Sequence, residues 1–345
     1  NPVYFKVCPS ISGTVFNDVN GLSDNTVNGT GLGNPSSTTL YANLINNTVV
    51  ATMPVNNNGT YSFTDLSPAT YSVQISTVQG TVGNAAPATS LPTNWVHTGE
   101  NLGTAAGNDG TVNGILPSVT VSTANVTDAN FGIEQLPTPA SLTAASQPNP
   151  GGTVSVTVPP ATFGATDPDG GTVTSITITG FPTNATSITI NGTPYTSGTF
   201  PVNGVTVPTT PTGEPTQAIL IDPVDGAVVA VIPYSATDNA DKTSAATGIA
   251  NVPFGTVSLS GNVFNDVNGL SDNTVNGAGL GNPSSTTLYA NLLNGSNSVV
   301  ATTTVNTNGT YTFAEAAPAT YSVQISTVQG TVGNAAPATS LPTNW

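Results

Sequence analysis

The chain has 345 residues, with 17 Asp or Glu against 2 Lys or Arg, a formal net charge of -15, one His and one Cys. Only 6% of residues are charged, far below the roughly 25% of an ordinary soluble domain. With almost no cations to displace counterions from phosphate, nucleic-acid binding is excluded and anionic lipid holds no attraction.

No run reaches the roughly 18 apolar residues of a spanning helix, so no membrane insertion is expected in this segment. A lone Cys gives no internal disulfide, leaving sheets or bound ions to supply rigidity. Thr, Asn, Ser and Gly replace the missing charge, and these residues favour strands and turns over helix interiors. The composition therefore predicts an extracellular, all-β protein.

Residues 1–10 form a leading segment, NPVYFKVCPS, that starts in mid-pattern and reads as part of a mature or excised chain. A first unit follows over 11–136. Alternation of period two marks strands at SGTVF, TTLYANL, TYSFTDL, TYSVQIS, SVTVS and ANFGIEQ, about seven in all when VVATMPV is added. Asn57, Asn58 and Gly59 between VVATMPV and TYSFTDL predict a tight hairpin. Tyr61, Phe63, Tyr71, Val73 and Ile75 would line one buried face.

The segment Gln135–Pro139 carries prolines, which stiffen a join. A second unit over 137–255 shows the same alternation in TVSVTV, TVTSITITGF, SITINGTPY, GVTV, QAILID and AVVAVIPYSA, with a hairpin at Asn191-Gly192. Neither unit has helical periodicity with caps.

The third unit, 256–345, is a copy of the first. Val15–Leu44 recurs at Val263–Leu292 with a single change, Thr30 to Ala278, and Tyr71–Trp95 recurs unchanged at Tyr321–Trp345. A repeat this long must be a pair of whole domains, so a bead-string array of β-sandwiches is expected. The third unit stops short of counterparts to SVTVS and ANFGIEQ, whose Val119, Val121, Phe131 and Ile133 should face a core. Either the chain continues, or a neighbouring molecule donates a strand, for which Val3, Phe5 and Val7 are the candidates.

Residues 11–134, from ISGTVFNDVNG through GTYSFTDLSPATYSVQIS to DANFGIE, resemble the B-type, transthyretin-like domains of serine-aspartate repeat proteins and collagen adhesins. The SDNTVNG and TGENLGTAAGNDGTVNGI forms look like those of giant repetitive surface proteins of Bacteroidota. Residues 139–254, with ATDPDGGTVTSITITGF and AVVAVIPYSATDNA, are similar to immunoglobulin-like or cadherin-like repeats. The resemblance implies an extracellular stalk in which B-type domains act as spacers.

It also implies two stabilising devices. The first is an isopeptide lock, for which the only lysines are Lys6 and Lys242; the third unit has Phe254 at the position of Lys6, so the lock is not expected. The second is calcium in the first loop. The residues here are Asp18, Asn20, Asp24 and Asn28, repeated as Asp266, Asn268, Asp272 and Asn276. Closely spaced Asp and Asn on a Gly turn can converge on a cation that takes six to eight oxygens. The loop is shorter than the family pattern, lacks its Glu and supplies two carboxylates, so an Asx-rich turn satisfied by its own backbone is the alternative. Asp167 and Asp169 of DPDGG, with Asp238 and Asp241, are a similar but weaker set.

Other chemistry is thin. His97 is expected in a surface loop, and Glu100 and Asp109 as solvated loop carboxylates rather than a glycosidase pair. Cys8 reads as a packed or idle thiol, or an interchain link. Trp95 and Trp345 read as core or interdomain plugs, or as sugar-stacking platforms. Asn-x-Thr sites such as Asn58, Asn125 and Asn191 read as turns.

Two functions fit: the shaft of a cell-surface fibre or adhesin, or an adhesive module that binds glycans or surfaces directly. Interchangeable copies favour the shaft, with neighbouring repeats of the same chain or identical chains in a filament as partners. No enzyme is expected.

Overall fold

The computed structural model describes residues 8–316 and 320–345; these are all-β, with short 3-10 turns and no α-helix among them. Val3, Phe5, Lys6 and Val7 lie outside the described residues.

The first unit contains nine strands: β1 Ile11–Asn17, β2 Thr30–Gly31, β3 Tyr41–Asn46, β4 Thr48–Pro54, β5 Thr60–Phe63, β6 Ala69–Ser76, β7 Trp95–Leu102, β8 Ile115–Val121 and β9 Ala129–Gln135. One sheet runs β2-β1-β9-β7 with β5 also on β1, and the other runs β4-β3-β6-β8. Alternating residues from both sheets enter one core, including Val15, Tyr61, Phe63, Phe131 and Ile133 from the first and Tyr71, Val73, Ile75, Val119 and Val121 from the second. The single buried face expected from Tyr61 to Ile75 is thus two faces of a sandwich.

The first and last strands meet in parallel, Val15 opposite Phe131 and Asn17 opposite Ile133. This closes the unit, and the buried Tyr61 hydroxyl fastens it by donating to the Ala129 carbonyl.

Two expectations for this unit are corrected. Asn57-Asn58-Gly59 is not a hairpin, because β4 pairs with β3 and β5 pairs with β1. The turn instead carries the chain from one sheet to the other, closed by Gly59 N donating to Asn56 O at 2.8 Å, with Gly59 at φ 81°. Strand β7, WVHTGENL, has no apolar alternation to announce it. It forms because the β9 edge offers an antiparallel ladder from Trp95 opposite Gln135 to Leu102 opposite Ala129.

The second unit has twelve strands: β10 Thr138–Pro139, β11 Ser141–Thr143, β12 Gln147–Pro148, β13 Val156–Thr157, β14 Ala165–Thr166, β15 Val173–Ile178, β16 Ala185–Ile190, β17 Thr193–Tyr195, β18 Val205–Pro208, β19 Ile219–Pro223, β20 Val228–Asp238 and β21 Gly248–Gly255. Its sheets are β11-β21-β20-β15-β18 and β13-β19-β16-β17. The core is built from Ile176, Ile178, Ile188, Ile221, Ile232, Tyr234 and Phe254. Asn191-Gly192 does close a hairpin, with φ of 48° and 78° and Ile190 opposite Thr193, the positive pair that a primed two-residue turn requires. Of TVSVTV only Val156–Thr157 is paired. Strand β21 escapes sequence reading because half of its inward positions, Gly248 and Ala250, are small.

In the third unit, β22 Val257–Asn262, β23 Phe264–Asn265, β24 Ala278–Gly279, β25 Tyr289–Leu293, β26 Val299–Thr304, β27 Thr310–Ala316 and β28 Ser322–Ser326 reproduce the pairings of the first six strands of the first unit. Among the described residues no counterparts of β7, β8 and β9 are present. Val323 and Ile325 are accordingly half-buried where Val73 and Ile75 are fully buried. A cavity of about 510 Å³ opens beside β26 and β27, walled on its far side by Gly151, Asp225 and Gly226 of the second unit.

Candidate functional site

The first loop divides its four candidate ligands. A 3-10 turn at Gly21–Asp24 ends on Asn25 in the left-handed region, at φ 59°. This leaves Asp24 exposed, where its carboxylate accepts from Thr26 N and Asn28 Nδ2, both at 2.9 Å. Hydrogen bonds from Asn28 and Asn20 hold it below the usual carboxylate range. The copy is the same: Asp272 accepts from Thr274 N and Asn276 Nδ2 at 2.9 Å, and Asn276 and Asn268 lower it. Both loops therefore satisfy their own carboxylate, as an Asx turn does.

Asp18 faces elsewhere. It is fully buried and accepts from Thr98 Oγ1 at 2.8 Å, while its other oxygen, Oδ1, has no hydrogen-bond partner. Burial pushes it up to about 7. Asp266 is only half-buried.

Asp18 lies next to the seam between the first and second units, whose contacts are polar. Asn17 Nδ2 donates to Asp169 O at 3.0 Å, Gln135 N to Asp169 Oδ2 at 2.7 Å, and Asn239 Nδ2 to Val19 O at 2.9 Å. Gly21 fits against Ala240, whose Cβ would stand 3.0 Å from any side chain placed there. The seam thus joins the end of β1, its loop and the end of β9 to the DPDGG turn and the loop after β20.

Glu134 and Asp238 are fully buried within it. Glu134 Oε1 and Oε2, Asp167 Oδ1 and Oδ2, Asp238 Oδ2 and Asn17 Oδ1 are all buried without a hydrogen-bond partner. Burial, followed by the charges of Asp238 and Asp169, pushes Glu134 up to about 9, and burial is also the main reason Asp167 and Asp238 are raised. The cation close enough to act on Glu134, Asp18 and Asp238 is Lys242. Asp241 is exposed and takes no part. As the side chains stand, no three His, Cys, Asp or Glu groups among the described residues are gathered tightly enough to hold a metal ion.

Sequence reasoning named Asp167, Asp169 and Asp238 but missed Glu134 and Asn17. Their signal was positional: Glu134 is the penultimate residue of the last strand before the proline-bearing join, and Asn17 ends the strand paired with it.

His97 and Glu100 are corrected from loop to strand β7. His97 is half-buried beneath Gly114, both ring nitrogens lack partners, and burial lowers it to about 4. Glu100 is fully buried, accepts from the backbone N–H of Gly114 and Asn113, and is pushed up to about 7 by burial. Asp109 is exposed, as expected.

Glu100 carries a pH prediction. Its ordinary value is 4.5, so between there and about 7 the folded chain holds a proton that the unfolded chain has released. That contribution is complete below 4.5 and is lost as pH rises through 7. Glu100→Gln will therefore raise the melting temperature at pH 8 and leave it nearly unchanged at pH 4.5. His97 has the opposite sign, costing stability as pH falls through 6.5, so the difference between parent and variant across pH isolates Glu100. An identical shift at both pH values would refute the assignment.

Trp95 sits in the first core at 8% exposure, with Nε1 donating to Ser36 Oγ at 2.9 Å. Trp345 keeps the equivalent bond to Ser284 but is 51% exposed. Cys8 is exposed.

No protein-family model and no curated protein sequence matches the chain. Among solved structures it is similar to the major pilin subunit BcpA of Bacillus cereus, at 12% identity and TM-score 0.39 over 92% of this chain and 87% of that one. The T6 backbone pilin of Streptococcus pyogenes aligns at 9% identity and TM-score 0.35, covering 92% and 76%. The major pilin SpaD of Corynebacterium diphtheriae aligns at 13% identity and TM-score 0.29, covering 94% and 88%. No helix among the described residues is long and apolar enough to cross a membrane.

Proposed function

We propose that this chain is a segment of the shaft of an extracellular bacterial surface fibre, in which two kinds of β-sandwich alternate and hold a distal region away from the cell. One observation carries the reading: the face by which the first unit meets the second is repeated on the third. Val19 and Gly21 of the first loop meet Asn239 and Ala240 of the second unit. In the copy, Val267 is 87% exposed and Gly269 faces open space, a surface that matches a further unit of the second kind. Leu22 and Val27 pack instead on Gly99 of β7 in their own unit, and their copies Leu270 and Val275 are exposed because β7 has no counterpart among the described residues of the third. Function then resides in length and stiffness, with no substrate of the units' own. An adhesive role through the tryptophans loses Trp95, whose ring is in the core.

Small-angle scattering tests the reading. The 345-residue chain will scatter as an elongated particle whose maximum dimension exceeds that of any one unit severalfold. A profile fitted by a compact sphere would sink it.

A further inference from the structure

Asparagine is a chemically labile residue, and most labile when glycine follows it. The backbone nitrogen of the glycine can attack the asparagine carboxamide, and no Cβ hinders the approach. The sequence holds ten such pairs. Which of them can react is decided by geometry, since misplaced reacting atoms slow a step by about 100-fold.

In six pairs the attacking nitrogen is engaged. Gly21 N donates to Asp18 O at 2.9 Å, Gly59 N to Asn56 O at 2.8 Å, Gly204 N to Pro201 O at 3.0 Å, Gly269 N to Asp266 O at 3.2 Å and Gly309 N to Asn306 O at 2.7 Å. Gly114 N donates to Glu100 Oε1. In three more the carboxamide is held: Asn28 and Asn276 donate through Nδ2 to Asp24 and Asp272, and Asn294 Oδ1 accepts from Ser296 N and Ser298 N. The tenth pair, Asn191-Gly192, has neither restraint among the described residues. Asn191 N donates to Ala218 O at 3.0 Å, which pins the backbone on the near side of the hairpin. Both residues of the turn are exposed, and a Cβ placed on Gly192 would meet nothing within 4 Å.

We propose that Asn191 is the site at which the folded chain modifies itself by deamidation. Gly192 N, losing its proton, bonds to Asn191 Cγ; the Cγ–Nδ2 bond breaks, ammonia leaves and a succinimide ring closes. Water, the only co-reactant, then opens the ring at either carbonyl. One opening gives aspartate, the other isoaspartate, in which the backbone runs through Cγ. The isoaspartate branch adds an atom to a two-residue turn that sets Ile190 opposite Thr193. Strand β17 lies at the edge of its sheet against β16, so it will loosen, whereas β16 stays paired with β19.

The test holds the full chain at mildly alkaline pH below its melting temperature. Samples are digested with pepsin in acid, and each Asn-Gly peptide is read by mass spectrometry with fragmentation that separates aspartate from isoaspartate. Conversion at Asn191 will run about tenfold or more ahead of every other pair, because only there are both reacting groups free to meet. In denaturant, where the hydrogen bonds are gone, the ten pairs will convert at similar rates. Asn191→Asp will remove the fast phase of ammonia release from the folded chain. Amide exchange in Thr193–Tyr195 will rise as isoaspartate accumulates. The proposal is overturned if another pair converts first in the folded chain, if all ten convert alike there, or if Asn191 keeps its amide over a time in which the denatured chain loses it.

Discussion

Gly13→Ala will unfold the first unit, whereas Gly261→Ala, the same change at the same place in its copy, will be tolerated by the third. At Gly13 an added Cβ would lie inside the Ala129 backbone carbonyl on β9 and crowd the Tyr61 hydroxyl. Neither can retreat, because that carbonyl accepts the Tyr61 hydrogen bond in the centre of a closed sandwich. At Gly261 the nearest atoms all belong to the ring end of Tyr311, a half-buried side chain that can swing away. The expected losses are about 3–5 kcal/mol for the first change, the range of severe core disruption, and about 1 kcal/mol for the second.

Gly31→Ala and Gly279→Ala are the controls. Both meet a backbone carbonyl, of Asn58 and Asn308, at the same closeness, so they should damage their units equally. Thermal melts of the four single variants, with amide exchange to assign each transition, check this. Equal effects at Gly13 and Gly261 would mean that a strand equivalent to β9 covers the third unit.

Extending the chain after Trp345 with a second copy of residues 96–135 will raise the stability of the third unit to that of the first. The first unit shows what is gained: Leu116, Val119, Val121, Phe131 and Ile133 come to 2% exposure or less. Burying such a side chain is worth about 1.5–3 kcal/mol before the entropy of ordering the added strands is subtracted. The partners already wait in the third unit, where Leu259, Val263, Val323 and Ile325 are half-buried. Edge strands with such faces also invite intermolecular pairing, so the parent chain will associate at high concentration and the extended chain will not. Amide exchange in Ser322–Ser326 reports the first effect and sedimentation the second. Unchanged protection on extension would show that the third unit has a different, self-sufficient packing.

The sequence by itself determined what short-range pattern controls. Period-two alternation placed β1, β3, β6, β15 and β20, since side chains along a strand alternate faces and only one face meets the core. It placed Val119, Val121, Phe131 and Ile133 in that core, and Asn191-Gly192 in a turn that needs two positive φ values. The hydrogen bonds to Asp24 are equally local, because the donors sit two and four residues away.

Tertiary structure alone decided the rest. Strand β7 exists because β9 offers an edge to WVHTGENL, and only that pairing takes His97 and Glu100 out of water. The turn at Gly59 joins two sheets rather than two paired strands, a choice made by β1 and β3 competing for partners. The acidic seam gathers Asn17, Glu134, Asp167 and Asp238 from segments more than 30 residues apart. No spacing rule connects them, because their proximity follows from the parallel closure of β1 on β9 and from the angle at which one sandwich meets the next.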